Sequence, residues 1–134
     1  NGQRLASLIR PKNEAQAVVP VVAPLTHDGK GNILNTNADT MAATVAKALT
    51  EEFEVTLTYC FEKPGVMADA DDDDSVIPTI NTESYAQLKA DGIVSGGMIP
   101  KLDNAFDSIS SGVKRVVITH FIDIQASMGT VIEK

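Results

Sequence analysis

The feature that most constrains the fold is a repeated alternation of helix-like and strand-like segments. In residues 38–49, and again in residues 98–109, apolar side chains recur at the spacing of an amphipathic helix. Each segment is followed by a run rich in β-branched residues, and these runs predict a central strand at 55–61 and a further strand at 113–119. Strands that alternate with helices in this way predict an α/β fold with a mostly parallel sheet.

Shorter patterns extend this prediction toward the ends of the chain. The valine-rich run 18–23 predicts a strand, which Pro20 and Pro24 confine to a strand end or a sheet edge. Residues 129–132 predict an additional edge strand, and residues 5–9 resemble a helix.

Three further segments predict turns, a loop and a helix. Residues 26–32, THDGKGN, contain two glycines beside Asp and Asn, and predict a tight surface turn in a hairpin-like excursion. The acidic tract 69–75 predicts a solvated loop. Residues 82–91 predict a short helix that ends at Gly92.

Length and charge restrict the class of protein. The chain has 134 residues, of which 43% are hydrophobic, and this is enough for one domain with a core but not for two. A net charge of -7 argues against a nucleic-acid binder, because such proteins gather Lys and Arg on a basic face. No apolar run approaches the roughly 18 residues of a membrane span. The single cysteine, Cys60, excludes an internal disulfide framework and leads us to expect a reducing cytoplasm.

A first candidate site is the segment Asn35-Thr36-Asn37-Ala38-Asp39, which stands where a turn enters the predicted helix 38–49. The two side-chain amides supply donors and acceptors, and the N–H groups at a helix N-terminus favour a bound anion. Simple helix capping explains the same residues, because Asn and Asp are preferred N-cap residues. From spacing alone, capping is the favoured reading.

A second candidate is Ser95-Gly96-Gly97-Met98-Ile99-Pro100-Lys101, in which a glycine pair opens a helix and a lysine follows in its first turn. Glycines let a backbone approach phosphate oxygens closely, and lysine supplies a mobile positive charge. The helix dipole disfavours a cation at this end by a few tenths of a kcal/mol. Lys101 is therefore better explained by an anionic ligand or a carboxylate partner than by helix stability.

Other patterns fail their own requirements. Neither a complete dinucleotide fingerprint nor a GxxxxGK[ST] loop occurs, and the acidic tract lacks the glycine and glutamate of a calcium loop. His27 and His120 lack metal-ligand spacing, so we expect a turn and a strand-end role for them. Cys60 has no basic neighbour that would activate it, and we expect it to pack in the core.

Five segments in this order carry a family resemblance: PVVAPL, LNTNADTMAATVAKAL, EKPGV, DGIVSGGMIPKL and GVKRVVI. Together they resemble the C-terminal portion of N-acetylglutamate kinases, within the amino-acid kinase family, over nearly the whole chain. The NxNAD and GGMIPK elements are the specific ones. The resemblance implies a three-layer α/β/α sandwich, amino-acid kinase-like, of which residues 1–134 are the nucleotide-binding C-terminal part.

The resemblance also implies roles for individual residues. Asn35 and Asn37 match the segment that reaches the acylglutamate, Asp39 matches an aspartate that orients active-site lysines, and Lys101 matches a lysine on the transferring phosphoryl group. The implied nucleotide-binding residues are Glu62, Gly65, Gly97 and Met98. Glu62 stands where the family usually has Asp, and the Asp-rich insert after Met67 is a second departure.

The implied activity is ATP-dependent and Mg²⁺-dependent phosphorylation of the γ-carboxylate of an N-acyl-L-glutamate, a step of arginine biosynthesis. The intact enzyme is expected to be a homo-oligomer. Alternatives are a carbamate kinase, a glutamate 5-kinase or a non-catalytic nucleotide-binding module.

The family's glycine-rich segment with a second phosphate-binding lysine does not precede residue 18, and Lys12 has no glycine neighbours. The chain begins at Asn1 without methionine, so we expect upstream sequence and an inactive isolated chain.

Overall fold

The structure is a computed structural model that describes residues 2–10, 18–124 and 128–134. Lys12 lies outside these residues. Within these described ranges, four helices and six short strands follow one another. In order they are α1 (Gly2–Ile9), β1 (Leu25–His27), β2 (Ile33–Asn35), α2 (Ala38–Leu49), β3 (Thr56–Phe61), β4 (Thr79–Ile80), α3 (Thr82–Ala90), α4 (Met98–Ser110), β5 (Arg115–His120) and β6 (Thr130–Ile132).

The main sheet has four strands in the order β3-β5-β6-β4. The pairs β3–β5 and β4–β6 are parallel, whereas β5 and β6 are antiparallel. The predicted α/β class with a mostly parallel sheet is therefore confirmed. Strands β1 and β2 form a separate antiparallel hairpin, whose connection contains Gly29 and Gly31 at φ 77 and 97. These left-handed angles confirm the predicted tight turn, since glycine adopts them without steric cost.

Helix α2 leads into strand β3, and helix α4 leads into strand β5. One core cluster joins both helices to one face of the sheet; its fully buried members include Leu102, Ala105, Val116, Ile118 and Ile132. Helix α1 packs against α2, and α3 reaches α4 through the Tyr85–Phe106 ring contact. Among the described residues, α2 and α4 thus form a helical layer on one face of the sheet, with α1 and α3 packed against them.

The predicted helix boundaries are close to the observed ones because each boundary carries a local signal. The side chain of Asn37 caps α2 through the backbone N–H of Thr40 at 3.0 Å. After α3, Gly92 adopts φ 74, and after α4, Gly112 adopts φ 101, so both helices end at left-handed glycines. The acidic loop 69–75 is largely exposed, as predicted.

Four expectations are wrong. Residues 18–23 form no strand, and Val19 and Val21 are 86% and 96% exposed, because no described strand pairs with this run. The predicted edge strand β6 lies inside the sheet, and the predicted central strand β3 lies at its edge. Cys60 is exposed. Side chains alternate between the two faces of a strand, and Leu57 and Tyr59 are the buried ones in β3. Cys60 therefore lies on the other face, away from α2 and α4.

Among the described residues, every helix is too short or too polar to cross a lipid bilayer.

Candidate functional site

Two helix N-termini meet at one end of the main sheet. Helix α2 runs back into β3, and α4 runs back into β5, so the first turn of each helix lies near the carboxyl end of its strand. Open α/β sheets generally bind ligands at the carboxyl ends of their strands. The side chain of Asn37 caps α2, whereas Gly97 at the start of α4 makes no side-chain cap. At the start of α4, the N–H groups of Met98 and Ile99 donate to main-chain carbonyls three residues earlier. Pro100 has no N–H, so these first-turn positions offer an anion no free backbone donor.

The centre of the site is an ion pair between the two helices. The Nζ atom of Lys101 lies 2.7 Å from Oδ2 of Asp39. The Lys101 side chain is only 17% exposed and that of Asp39 is 34% exposed. The two residues are 62 positions apart in the sequence and are brought together by the packing of α2 on α4. The sequence predicts either an anionic ligand or a carboxylate partner for Lys101, and the structure shows the carboxylate partner, Asp39.

Tyr59 of β3 lies beneath this ion pair, and sequence analysis missed it. The Nζ atom of Lys101 is 4.9 Å from the centre of the Tyr59 ring, and the hydroxyl donates to the main-chain carbonyl of Asp39 at 3.3 Å. Burial, and then the charge of Asp39, raise the pKa of Tyr59 to about 12. The alternation of residues 56–61 was the available signal, because it places Tyr59 on the same face as the core residue Leu57.

The loop after β3 is held by a buried threonine. The Oγ1 atom of Thr130 accepts a hydrogen bond from the N–H of Val66 at 2.8 Å and donates to the carbonyl of Ile77 at 2.7 Å. A Cβ on Gly65 would lie 2.8 Å from the same oxygen, so glycine is required by close approach there. Thr130 gave no sequence signal, since its partners lie more than fifty positions away along the chain.

Gly65 and Met98, which sequence analysis assigned to the nucleotide, line one cavity of about 180 Å³ between the β3 loop and α4. The other lining residues are Phe61, Lys63, Val66, Met67, Ala70, Ile93 and Ser95. The Nζ atom of Lys63 lies 3.2 Å from Asp73, which ties the acidic loop to the rim of this cavity. A Cβ on Gly96 or Gly97 would meet open space, so the start of α4 is accessible from outside.

The remaining predicted site residues are less closely assembled. Glu62 is exposed and does not line this cavity. Asn35 is exposed at the end of the hairpin, opposite Leu25. Asn37 is also exposed, and its Oδ1 accepts from Thr40, so the capping reading is confirmed for its oxygen. Its amide N–H groups take no part in that cap.

Two other regions carry less chemistry. A larger cavity of about 350 Å³ lies between residues 20–24 and α2, and its lining, which includes Val22, Met41 and Leu57, contains no charged side chain among the described residues. His27 accepts from the N–H of Gly29 in the turn, and the ring of His120 contacts Phe121 at the end of β5. Both histidines therefore lie at the turn and the strand end that were expected.

These observations define an α/β protein with a lysine–aspartate pair and two helix N-termini at the ligand-binding edge of its sheet. A sequence profile described as the Amino acid kinase family matches residues 3–120, and the chain belongs to this family.

Similar proteins agree with this assignment. The chain is 58% identical over 134 residues to an acetylglutamate kinase from Phocaeicola vulgatus, covering 100% of this chain and 50% of that protein. It therefore spans about half the length of the curated relatives it matches. A crystal structure from Streptococcus mutans UA159 superposes with a TM-score of 0.75 at 26% identity, covering 98% of this chain and 47% of that one. A carbamate kinase from Giardia lamblia bound to AMP-PNP shares the fold, with a TM-score of 0.59 at 20% identity over 78% of this chain and 39% of that one.

Proposed function

We propose that this chain is the ATP-binding, C-terminal part of an acetylglutamate kinase. The complete enzyme then transfers the γ-phosphoryl group of ATP to the γ-carboxylate of an N-acylglutamate. The observation that carries the proposal is the Lys101–Asp39 pair, 2.7 Å apart between the N-termini of α2 and α4. The relatives at more than 50% identity support the acceptor.

The chemistry of this transfer suits a lysine better than a general base. The acceptor carboxylate is ionised at neutral pH, since free glutamate has a pKa of about 4.3, so no proton has to be removed from it. The reaction brings two anions together, and cations must neutralise the phosphoryl oxygens while the reactants are held in line. Lys101 supplies such a cation, and Asp39 keeps it at the ligand-binding edge before the nucleotide arrives.

The other assigned residues complete the proposal. Gly97 and Met98 are proposed to face the phosphates at the accessible start of α4. Gly65 lets the β3 loop pass close to Thr130, and it lines the same cavity as Met98. Glu62, exposed on that loop, is proposed to contact the nucleotide from outside the cavity. Asn35 and Asn37 are exposed next to α2, where the amide of Asn35 and the amide N–H groups of Asn37 are proposed to reach the acylglutamate.

ATP and Mg²⁺ fit this arrangement in different ways. The Lys101 ammonium suits the phosphates of ATP, and the open space at Gly96 and Gly97 gives them room beside α4. The described residues contain no group of three or more His, Cys, Asp or Glu side chains placed to hold a metal. Mg²⁺ is commonly held through substrate phosphates and water. In this proposal it is bound mainly by ATP, and it neutralises phosphoryl charge that Lys101 alone does not.

The isolated chain is proposed to lack kinase activity. Phosphoryl transfer needs positive charge on more than one side of the phosphate, and Lys101 is the assigned cation in this half-length chain. We therefore define a test protein, the chimaera, in which residues 1–134 replace the matched half of the Phocaeicola vulgatus relative. The sequence identity of 58% makes such a replacement structurally reasonable.

The test measures ADP release by the isolated chain and by the chimaera with ATP, Mg²⁺ and one acceptor at a time. We expect release only from the chimaera and only with an N-acylglutamate; parallel assays with N-acetylglutamate and N-succinylglutamate identify the acyl group. Preference for carbamate or free glutamate would instead identify a carbamate kinase or a glutamate 5-kinase. Nucleotide binding without turnover on any acceptor would indicate a non-catalytic module. Turnover by the isolated chain would refute its proposed incompleteness.

A further inference from the structure

Tyr59 is the one described aromatic residue that contacts both members of the Lys101–Asp39 pair. It lies on β3 and is 5% exposed, so its ring position is fixed by the core. The Lys101 ammonium lies 4.9 Å from the ring centre, within the distance at which a cation is attracted to an aromatic face. The ring therefore offers the lysine a second attractive contact besides Asp39.

The hydroxyl of Tyr59 acts on the other member of the pair. It donates a hydrogen bond of 3.3 Å to the main-chain carbonyl of Asp39, in the first turn of α2. This bond links the end of α2 that carries Asp39 to the sheet strand below it. The position of the Asp39 carboxylate thus depends on the helix backbone that Tyr59 holds.

The hydroxyl remains a donor over the working pH range. Its pKa is raised to about 12 because the side chain is buried and because Asp39 is negatively charged. At neutral pH the ring is uncharged, as for any tyrosine with a pKa of about 10 or above, and the proton needed for the bond to Asp39 is present.

A ring contact to lysine is not in itself a sign of function. Tyr85 has a similar set of partners, since Lys89 lies 4.1 Å from its ring centre and its hydroxyl donates to Asp103 at 2.6 Å. The difference lies in the lysine. Lys89 is 41% exposed and 3.9 Å from Asp103, whereas Lys101 is 17% exposed and 2.7 Å from Asp39.

We propose that Tyr59 is a positioning residue that keeps Lys101 and Asp39 in one arrangement when phosphate oxygens compete for the ammonium. Once Lys101 turns from Asp39 toward a phosphate, the ring limits how far its four-carbon chain moves. The proposal deepens the proposed function and rests on it for its catalytic consequence. Its structural part, the restraint on Lys101, applies to the chain without any substrate.

The experiment has a structural arm and a kinetic arm. The variants are Tyr59→Phe, which keeps the ring, and Tyr59→Met, which removes it but fills the space with a flexible apolar chain. Tyr85→Phe is the matched control, because it removes the hydroxyl of the comparable buried tyrosine. In the isolated chain, NMR records the ε-methylene shifts of Lys101, which the ring current of Tyr59 displaces. In the chimaera, steady-state kinetics record kcat and KM.

We expect Tyr59→Met to move the Lys101 shifts toward those of an exposed lysine and to lower kcat on the order of 10- to 100-fold, with a smaller change in KM for ATP. Tyr59→Phe should keep the ring-shifted Lys101 signals and recover most of kcat. Tyr85→Phe should leave both readouts near those of the parent protein.

The two arms separate two kinds of failure. An inactive parent chimaera, together with an isolated chain whose Lys101 signals respond to Tyr59→Met, would refute the proposed function and leave the restraint intact. An active chimaera in which Tyr59→Met changes neither kcat nor the Lys101 shifts would refute the role of Tyr59. If Tyr59→Met does not fold, Lys101 signals in the parent chain that show no ring-current shift would refute it as well.

Discussion

Two ion pairs connect the same two helices, and they differ in what they explain. Asp39 of α2 pairs with Lys101 of α4 at 2.7 Å, and Lys47 of α2 pairs with Asp107 of α4 at 2.5 Å. Lys47 lies in the last turn of its helix, where the dipole favours a cation. Lys101 lies in the first turn of its helix, where the dipole disfavours one.

The two ion pairs also differ in how far their side chains are exposed to solvent. The aspartate partner of Lys47 is 62% exposed, as expected for a surface ion pair of little energetic weight. The Lys101 pair is more buried and lies above Tyr59. The cation held against the dipole and away from water is paired with the Asp39 carboxylate, and the proposed function assigns it an anionic ligand in addition. The second pair therefore provides the natural control for the first.

Removal of each lysine should separate the two pairs most clearly. In the chimaera, Lys101→Ala should lower kcat on the order of 100-fold or more, because a charge that stabilises the transferring phosphoryl group is lost. Lys47→Ala should leave kcat nearly unchanged. ADP release at saturating ATP and N-acetylglutamate measures both. Equal losses in the two variants would mean that both pairs act only through the packing of α2 on α4.

Removal of each carboxylate charge should have a smaller effect. Asp39→Asn keeps the shape of the side chain but releases the Lys101 ammonium, so kcat should fall about tenfold through loss of orientation. Asp107→Asn is the control on the same helix pair and should retain the parent kcat. If Asp39→Asn were as active as Asp107→Asn while circular dichroism showed both to be folded, Asp39 would have no role in orienting Lys101 for catalysis.

Tyrosine titration tests the same asymmetry without any substrate. The negative charge of Asp39 contributes to the raised pKa of Tyr59, about 12, so Asp39→Asn should lower this pKa, whereas Asp107→Asn should not. Tyrosinate absorbance measures the change, and Tyr59→Phe identifies the signal. A Tyr59 pKa that is insensitive to Asp39→Asn would place that carboxylate farther from the ring than described.

The same raised pKa has a consequence for stability at alkaline pH. The folded state holds the Tyr59 proton more tightly than the unfolded chain, in which the tyrosine pKa is near 10.0. The contribution of this proton to the free energy of unfolding is therefore complete below about pH 10. It is lost as pH rises through about 12. We expect Tyr59→Phe to weaken the fall in unfolding free energy over this window, as followed by denaturant titration.

The smallest effect should be on stability at neutral pH. Lys47→Ala should lower the unfolding free energy by about 0.2 to 1 kcal/mol, in the range of exposed ion pairs. The loss should shrink with added salt, since salt screens exposed charges. Urea denaturation at low and high salt measures it. A larger, salt-independent loss would show that the alkyl chain of Lys47 contributes packing rather than charge.

The sequence predicted the helices whose periodicity, N-cap residue or terminal glycine lies within the helix or next to it. Helix α2 was predicted from periodicity and from Asn37, and the ends of α3 and α4 from the glycines that follow them. The sequence also singled out Lys101 by its place in a helix, and left a carboxylate partner open. The pairing with Asp39 came from the family resemblance rather than from spacing, because the two residues meet only through tertiary packing.

The errors arose where exposure or pairing depends on distant parts of the chain. Cys60 lies in an apolar run, but the face of β3 on which it lies is not covered by α2 or α4. The run 18–23 is apolar enough for a strand, yet a strand also needs a neighbour with free backbone groups. Thr130 could not be found from sequence, because its contacts with the β3 loop span a large separation.

The most direct test of the account is the position of the Lys101 ammonium in a crystal structure of the chimaera with AMP-PNP, Mg²⁺ and N-acetylglutamate. We predict that its Nζ atom lies within hydrogen-bonding distance of a terminal phosphate oxygen, above the ring of Tyr59. A nucleotide bound elsewhere, with Lys101 still paired to Asp39 and out of reach of every phosphate, would contradict the account.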